Sequence, residues 1–136
     1  MKVLFLCVAN SARSQIAEGL ARKSGFFEVV ESAGSNPSGS VRPLAIEAMK
    51  EIGIDITSHT SKSLNSLDLN SFDFIVTLCA EEICPVVLDR TKHLHWPVED
   101  PAVDNDETQE QKLERFRKAR KEIDQKINDF IKAKQN

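Results

Sequence analysis

The sequence lacks several features that would point away from an ordinary globular domain. It contains no tyrosine, and no apolar run in it is long enough to cross a lipid bilayer. Its formal net charge is only −3, which argues against nucleic acid or an anionic membrane as the main partner. No repeat, low-complexity tract or linker divides the 136 residues, so we predict a single domain spanning residues 1–136.

Cysteine is scarce, with three residues at Cys7, Cys79 and Cys84. The first residues do not resemble a signal peptide, because one early lysine and a short apolar run lead straight into a polar loop. We therefore expect a cytoplasmic protein whose cysteines are thiols at rest, which disfavours a structural disulfide. The simplest alternative for Cys79 and Cys84 is that they are buried structural thiols.

The apolar pattern predicts strands that alternate with helices. Short apolar runs predict four strands, at residues 2–8, 26–32, 72–78 and 91–96. Helical spacing predicts three helices, which begin at Arg13, Pro43 and about Thr108. This alternation implies a three-layer α/β fold with a four-stranded parallel sheet in the order 2-1-3-4 and helices on both faces. Such a sheet binds ligands at the carboxyl ends of strands 1 and 3, where Cys7 and Cys79 lie.

Residues 7–14 combine a nucleophile with an anion site. Between a strand and a helix, unpaired N–H groups converge and the helix dipole adds positive charge, which suits a tetrahedral oxyanion. The predicted oxyanion-binding residues are Val8, Ala9, Asn10, Ser11, Ala12, Arg13 and Ser14. Arg13 can donate two hydrogen bonds to the anion, and the same field favours a nucleophilic Cys7 thiolate. The alternative is a buried strand-end cysteine with a solvated arginine, which the strand–loop–helix placement disfavours.

Motifs along the chain carry a family resemblance. The pattern C-x5-R-S resembles the low-molecular-weight protein tyrosine phosphatase family, and N-S-x-R-S-Q-x-A-E-G at residues 10–19 resembles its arsenate reductase branch. Further segments resembling that branch lie at residues 31–34, 45–49, 58–61, 76–79, 95–96 and 100–102. The resemblance covers residues 1 to about 102 and implies a flavodoxin-like fold.

The resemblance also implies roles for individual residues. Cys7 attacks the oxyanion, Arg13 binds it and Asp100 is the general acid that protonates a leaving oxygen. Without the resemblance, Asp100 would be interpreted as part of an ordinary Asp-Pro turn. In the arsenate reductase scheme, Cys79 then attacks Cys7 as arsenite leaves, and Cys84 attacks Cys79. Thioredoxin reduces the final Cys79–Cys84 disulfide, and no bound cofactor is implied.

Two features depart from the pattern of the family. Members with this cysteine set often have C-x6-C, whereas this chain has C-x4-C, which leaves the reductant open. Some relatives bind potassium beside the anion loop, and Asn10, Glu18 and Ser32 match three of its ligands. The fourth, an aspartate, is replaced by Lys62. We predict that the Lys62 ammonium takes the place of potassium and supports the loop through Asn10 and Glu18. The alternative is a solvated lysine.

Zinc is a rival interpretation of the later cysteines. Cys79, Cys84, His93 and His95 all carry donor atoms that zinc accepts. Two histidines in an H-x-H strand share one face but rarely complete a tetrahedron, so no metal site is predicted.

Three functions are compatible with these residues: thioredoxin-coupled arsenate reduction, hydrolysis of phosphotyrosine or small phosphomonoesters, and non-catalytic oxyanion or redox sensing. Arsenate and phosphate share shape and charge, so the loop alone cannot choose between the two enzymes. The pair Cys79 and Cys84, the Pro-Ala that follows Asp100 and the absence of tyrosine favour the reductase, with residual phosphatase activity. A pure sensor needs no general acid. The expected partners are an arsenate-like or phosphate-like oxyanion and thioredoxin, and the chain is expected to be a monomer.

Overall fold

The computed structural model describes residues 1–80 and 92–135. The strands are β1 (Lys2–Cys7), β2 (Val29–Gly34), β3 (Phe74–Thr77) and β4 (His93–His95). The α-helices are α1 (Arg13–Ser24), α2 (Pro43–Lys50) and α3 (Gln109–Gln135), and two short 3-10 helices lie at Leu64–Ser66 and Leu69–Ser71. All three strand pairs are parallel and the order is β2-β1-β3-β4, which confirms the predicted sheet.

The central strand β1 explains why the sheet forms around the first residues of the chain. It lies between β2 and β3, and residues 3–7 are all buried. Val3 and Phe5 pack into one hydrophobic cluster, and Leu4 and Leu6 into another on the opposite face. A parallel strand that is covered on both faces requires such a continuous apolar run.

The three α-helices pack against one face of this sheet. Ile16 of α1, Met49 of α2 and Phe116 of α3 belong to the same cluster as Phe5. In the described part of the chain, the other face is covered by the two 3-10 helices and their leucines. Within residues 1–80 and 92–135, the helical elements on this second face are these two 3-10 turns. No helix within those ranges is both long and apolar enough to cross a membrane.

The strand β2 begins three residues later than predicted. Phe27 stacks on Phe130 of α3 with ring centroids 5.9 Å apart, and Phe26 packs edge-on against Phe27 at 5.1 Å. These two phenylalanines therefore join an aromatic cluster beside the sheet instead of a strand. A short apolar run does not show whether such residues belong to a strand or to an aromatic cluster, because the packing partner on α3 decides between the two.

A charged cluster holds the end of α2 to α3 and leads to a pH-dependent prediction. The Arg117 guanidinium donates to both oxygens of Glu51, and Arg120 also donates to it. Hydrogen bonding to Arg117 lowers the pKa of Glu51 from 4.5 to about 2. A carboxyl group with a lowered pKa stabilises the fold above its ordinary pKa, and this contribution is lost as the pH falls towards the folded-state value.

We expect Glu51→Gln to lower the melting temperature at neutral pH, and the difference from wild type to narrow as the pH falls from about 4.5 towards 2. Thermal melts across this range measure the effect. Glu110→Gln is the control, because Glu110 contacts Arg117 from a largely exposed position. A difference that stays constant with pH would contradict the assignment to Glu51.

Candidate active site

The loop between β1 and α1 forms the centre of the site. β1 ends at Cys7 and α1 begins at Arg13, so five residues connect a buried strand to a helix N-terminus. Asn10, Ser11 and Ala12 of this loop are buried, while Val8 and Ala9 are half-buried. Cys7 is a free thiol and is 2% exposed. Asn10 has a φ of 49°, in the left-handed region that such anion-binding turns use.

The carbonyl oxygens of the loop are held from outside. The carbonyls of Val8 and Ala9 accept hydrogen bonds from the backbone N–H groups of Asn36 and Ser38, respectively, both at 2.9 Å. The carbonyl of Asn10 accepts from the side-chain amide of Gln15 at 3.1 Å. The carbonyl of Ser11 accepts from the backbone N–H of Arg42 at 2.8 Å. In a trans peptide the C=O and the following N–H point in opposite directions. The N–H groups of residues 9–12 therefore point towards the inside of the loop, where they can donate hydrogen bonds to a bound anion.

A chain of side-chain hydrogen bonds reaches the sulfur. The Cys7 Sγ and the Ser14 Oγ lie 2.9 Å apart. The Asn10 side-chain amide donates to the Ser14 oxygen at 2.8 Å and to the Ser32 oxygen at 3.0 Å, and the Ser32 hydroxyl donates to Glu18 at 2.6 Å. Because Asn10 occupies the oxygen of Ser14, the hydroxyl proton of Ser14 is available to the sulfur. The chain therefore connects the Cys7 sulfur through Ser14, Asn10 and Ser32 to the carboxylate of Glu18.

The buried side chain of Arg13 connects the loop to two other segments. Its Nη1 donates to the carbonyl oxygen of Val98 at 2.9 Å and to that of Leu78 at 3.4 Å. Its Nη2 lies 3.8 Å from the Asp100 carboxylate. Asp100 is half exposed, and its other oxygen accepts the Ala102 N–H at 2.9 Å, so it also makes the turn that its sequence context predicts. The structure thus brings Cys7, Arg13 and Asp100 around one cavity of about 180 Å³.

Cys79 lies at the end of β3, next to the end of β1. The ladder between these strands continues past Thr77, because the N–H of Leu78 donates to the carbonyl of Leu6 at 3.0 Å. Cys79 follows directly, is 1% exposed and is disulfide-bonded, which differs from the expectation that the cysteines are thiols at rest. Neighbouring parallel strands lie about 5 Å apart, so the two cysteines lie at adjacent strand ends. Cys84, the third cysteine predicted for the site, lies outside the described residues.

The structure corrects the position expected for the Lys62 side chain. Its ammonium lies 3.0 Å from Glu31 of β2, and not against Asn10 and Glu18. The backbone N–H of Lys62 contacts the loop instead, donating to Asn10 Oδ1 at 2.9 Å. The reason is that the Lys62 carbonyl accepts the N–H of Gly34 at 2.9 Å. This bond holds the Lys62 backbone against the end of β2 and leaves its side chain to pair with Glu31.

Sequence reasoning missed the partners of Glu18. This buried carboxylate lies 3.1 Å from Arg22, one turn along α1, and 3.4 Å from Nε2 of His59. Burial lowers the pKa of His59, while the Glu18 carboxylate acts in the opposite direction. The i,i+4 spacing of Glu18 and Arg22 was the available signal, and the position of His59 depends on the tertiary fold.

The oxygens that match a potassium site are already engaged. Asn10 Oδ1 accepts the Lys62 N–H, the Ser32 hydroxyl donates to Glu18, and Arg22 balances the charge of Glu18.

The zinc interpretation is not favoured by the positions of its two histidines. His93 Nε2 and His95 Nδ1 each lie 2.7 Å from the hydroxyl of Thr77. Within residues 1–80 and 92–135, no group of three His, Cys, Asp or Glu side chains is placed to hold a metal ion.

The fold and site together define a class of protein: a parallel α/β domain that presents a buried thiol inside an oxyanion-binding loop. The family model described as low molecular weight phosphotyrosine protein phosphatase matches residues 2–136, and the chain belongs to this family.

Individual relatives narrow the comparison. The chain is 44% identical over 131 residues to arsenate reductase 2 of Staphylococcus saprophyticus, covering 94% of each protein. It is similar to a solved arsenate reductase in the phosphate-binding state, with a TM-score of 0.78, 35% identity and 98% of each chain covered. It is also similar to a thioredoxin-dependent arsenate reductase of Corynebacterium glutamicum, with a TM-score of 0.73 and 31% identity. That match covers 98% of this chain and 61% of the other.

Proposed function

We propose that this chain is a thioredoxin-coupled arsenate reductase. The observation that carries the proposal is the pairing of two buried cysteines at adjacent strand ends, with Cys7 inside an oxyanion loop and Cys79 at the end of β3. A phosphatase needs only the first of these cysteines, whereas a thiol-driven reductase needs a second sulfur to supply electrons. The similarity to arsenate reductases, one of them thioredoxin-dependent, supports the same function.

The first step is the formation of a covalent arsenic adduct. The inward N–H groups of residues 9–12 and the guanidinium of Arg13 bind arsenate, and the Cys7 thiolate attacks arsenic. One arsenate oxygen leaves as water and takes a proton from Asp100. Because Asp100 is half exposed, it can recover this proton from solvent.

The second step transfers two electrons to arsenic. Once thioredoxin has reduced the disulfide of Cys79, the Cys79 thiolate attacks the sulfur of Cys7, the sulfur–arsenic bond breaks, and its electron pair stays on arsenic. Arsenic is thereby reduced from As(V) to As(III) and leaves as arsenite. The two sulfurs are oxidised to a Cys7–Cys79 disulfide, so the electrons balance.

The third step regenerates the nucleophile. Cys84 attacks Cys79, which releases the Cys7 thiolate and leaves a Cys79–Cys84 disulfide. The dithiol of thioredoxin then reduces this disulfide by the same exchange. This step depends on the sequence, since Cys84 lies beyond the part of the chain that the structure describes.

The experiment that tests this function measures arsenate-dependent oxidation of NADPH in the presence of thioredoxin and thioredoxin reductase. We expect sustained turnover by the wild type that requires thioredoxin. We expect Cys84→Ser to release one arsenite per protein and then stop, with a Cys7–Cys79 disulfide detectable by peptide mass spectrometry. Sustained turnover by Cys84→Ser would exclude the third step, and absence of arsenate turnover in the wild type would exclude the function.

A further inference from the structure

The backbone of Arg42 is fixed to the anion loop. Its N–H donates to the carbonyl oxygen of Ser11 at 2.8 Å. Its own carbonyl accepts the N–H groups of Ala45 and Ile46, at 3.0 and 3.1 Å, because Arg42 is the residue that precedes α2. Pro43 follows at the first position of the helix, where its missing N–H costs no hydrogen bond. The point from which the Arg42 side chain begins is therefore fixed relative to the loop.

The guanidinium of Arg42, in contrast to its backbone, has no fixed partner. Arg42 is an exposed residue and lines the cavity that contains Cys7. In the part of the chain that the structure describes, no hydrogen bond or ion pair engages this guanidinium. Its five N–H donors are therefore available to a group that enters the cavity. A flexible side chain that begins beside Ser11 can place them at the opening of the loop.

The charges in this cavity favour a second cation. A phosphate or arsenate ion carries up to two negative charges at neutral pH, and Cys7 attacks as a thiolate in the proposed reaction. Arg13 supplies one positive charge, but its Nη1 already donates to two backbone carbonyl oxygens and its Nη2 lies 3.8 Å from Asp100. Among the described residues that line the cavity, the other cation is Arg42. One guanidinium cannot neutralise both the thiolate and a divalent anion, so Arg42 meets a need that Arg13 leaves.

We propose that Arg42 is a further substrate-binding residue, whose guanidinium contacts the oxygens of the bound oxyanion that point out of the loop. A guanidinium can donate two parallel hydrogen bonds to such a pair of oxygens. Arg42 thereby raises the affinity of the site for divalent tetrahedral oxyanions. The proposal rests on the anion loop of the proposed function and not on the relay through Cys79.

The substitution Arg42→Met separates the role of the side chain from that of the backbone. Any residue other than proline supplies the N–H that holds the carbonyl of Ser11, so the loop keeps this support in the variant. We therefore expect the melting temperature of Arg42→Met to equal that of the wild type. An effect on oxyanion binding then reports the guanidinium alone.

The test measures the affinity for inorganic phosphate by calorimetry and the steady-state kinetics with arsenate. We expect Arg42→Met to weaken phosphate binding about fivefold, since the lost contact is an exposed charge pair. The KM for arsenate should rise by the same factor while kcat stays within about twofold, because a contact made equally in ground and transition states affects binding alone. Arg42→Lys should recover most of the affinity, since it keeps the charge and loses only the planar fork. High salt should weaken phosphate binding less in Arg42→Met than in the wild type.

The matched control is Lys112→Met, which removes one positive charge from α3 outside the lining of the Cys7 cavity. We expect its phosphate affinity to stay within about twofold of the wild type. Equal losses in the two variants, equal affinity in Arg42→Met and wild type, or a wild type that does not bind phosphate would each overturn the proposal. A lower kcat with an unchanged KM would do the same.

The calorimetric measurement also keeps this proposal separate from the proposed function. Phosphate binding needs neither thioredoxin nor a second cysteine, so failure of arsenate reduction would leave that readout intact and decisive. The stoichiometry of binding reports the folded fraction of each sample, so a variant that folds incompletely still yields an affinity.

Discussion

Cys79→Ser is expected to abolish thioredoxin-coupled arsenate turnover while leaving phosphomonoester hydrolysis within about twofold of the wild type. A serine hydroxyl cannot form a disulfide with Cys7. The protein therefore cannot supply the two electrons that reduce the arsenic of the adduct. Hydrolysis needs Cys7, Arg13 and Asp100, and none of these is changed. The measurement is NADPH oxidation with thioredoxin, set beside release of phenol from phenyl phosphate by the same sample.

Folding must be separated from chemistry in this variant. Cys79 is 1% exposed and disulfide-bonded, so a buried hydroxyl in its place and the loss of that bond are both expected to lower the melting temperature. Cys79→Ala avoids the buried hydroxyl and gives the same chemical prediction. If either folded variant retained thioredoxin-dependent turnover above a few per cent of wild type, the proposed relay would be wrong.

Gly34→Ala is expected to reduce both arsenate and phosphoester turnover by more than about tenfold, because displaced anion-binding groups no longer meet the substrate. A Cβ at Gly34 would overlap the carbonyl oxygen of Val8 and would lie 3.1 Å from the backbone nitrogen of Asn10. The loop would have to move, since a backbone carbonyl cannot rotate aside as a flexible side chain can. That movement would break the bond from Asn36 to Val8 and turn the following N–H away from the anion.

Gly19→Ala is the matched control for this prediction. Its Cβ would also be crowded, but against the side-chain ends of Ile56 and Met49, each at 2.9 Å. We expect Gly19→Ala to lose about 1–3 kcal/mol of stability through overpacking while keeping the activity of its folded fraction. Oxyanion affinity measured by calorimetry with phosphate distinguishes the two variants. Equal affinity in Gly34→Ala and wild type would show that Gly34 does not support the loop.

Local sequence patterns account for much of this architecture. The continuous apolar run of β1 identified a central strand, and the alternation of strands and helices led to the correct sheet order. Turn and helix signals around Arg13 placed the anion loop correctly between β1 and α1. Such features follow from residues close together in the chain, where periodicity and backbone geometry act directly.

Predictions from local sequence patterns were wrong where the structure depends on contacts with residues far away in the chain. The predicted start of β2 was wrong because Phe27 packs on Phe130, which lies more than a hundred residues later in the chain. The ammonium of Lys62 was misplaced because the bond between its carbonyl and Gly34 directs the side chain to Glu31. Neither contact can be predicted from the residues next to it in the sequence.

The sequence by itself therefore determined a parallel sheet with a cysteine-containing anion loop at its carboxyl edge, since strand composition and the loop motif are local. Only the tertiary structure decided how that loop is held. Its carbonyl oxygens are turned outward by backbone donors from residues 36, 38 and 42 and by the side chain of Gln15, while Arg13 reaches the carbonyls of Leu78 and Val98. These arrangements depend on hydrogen bonds and packing between segments far apart in the chain, which no periodicity encodes.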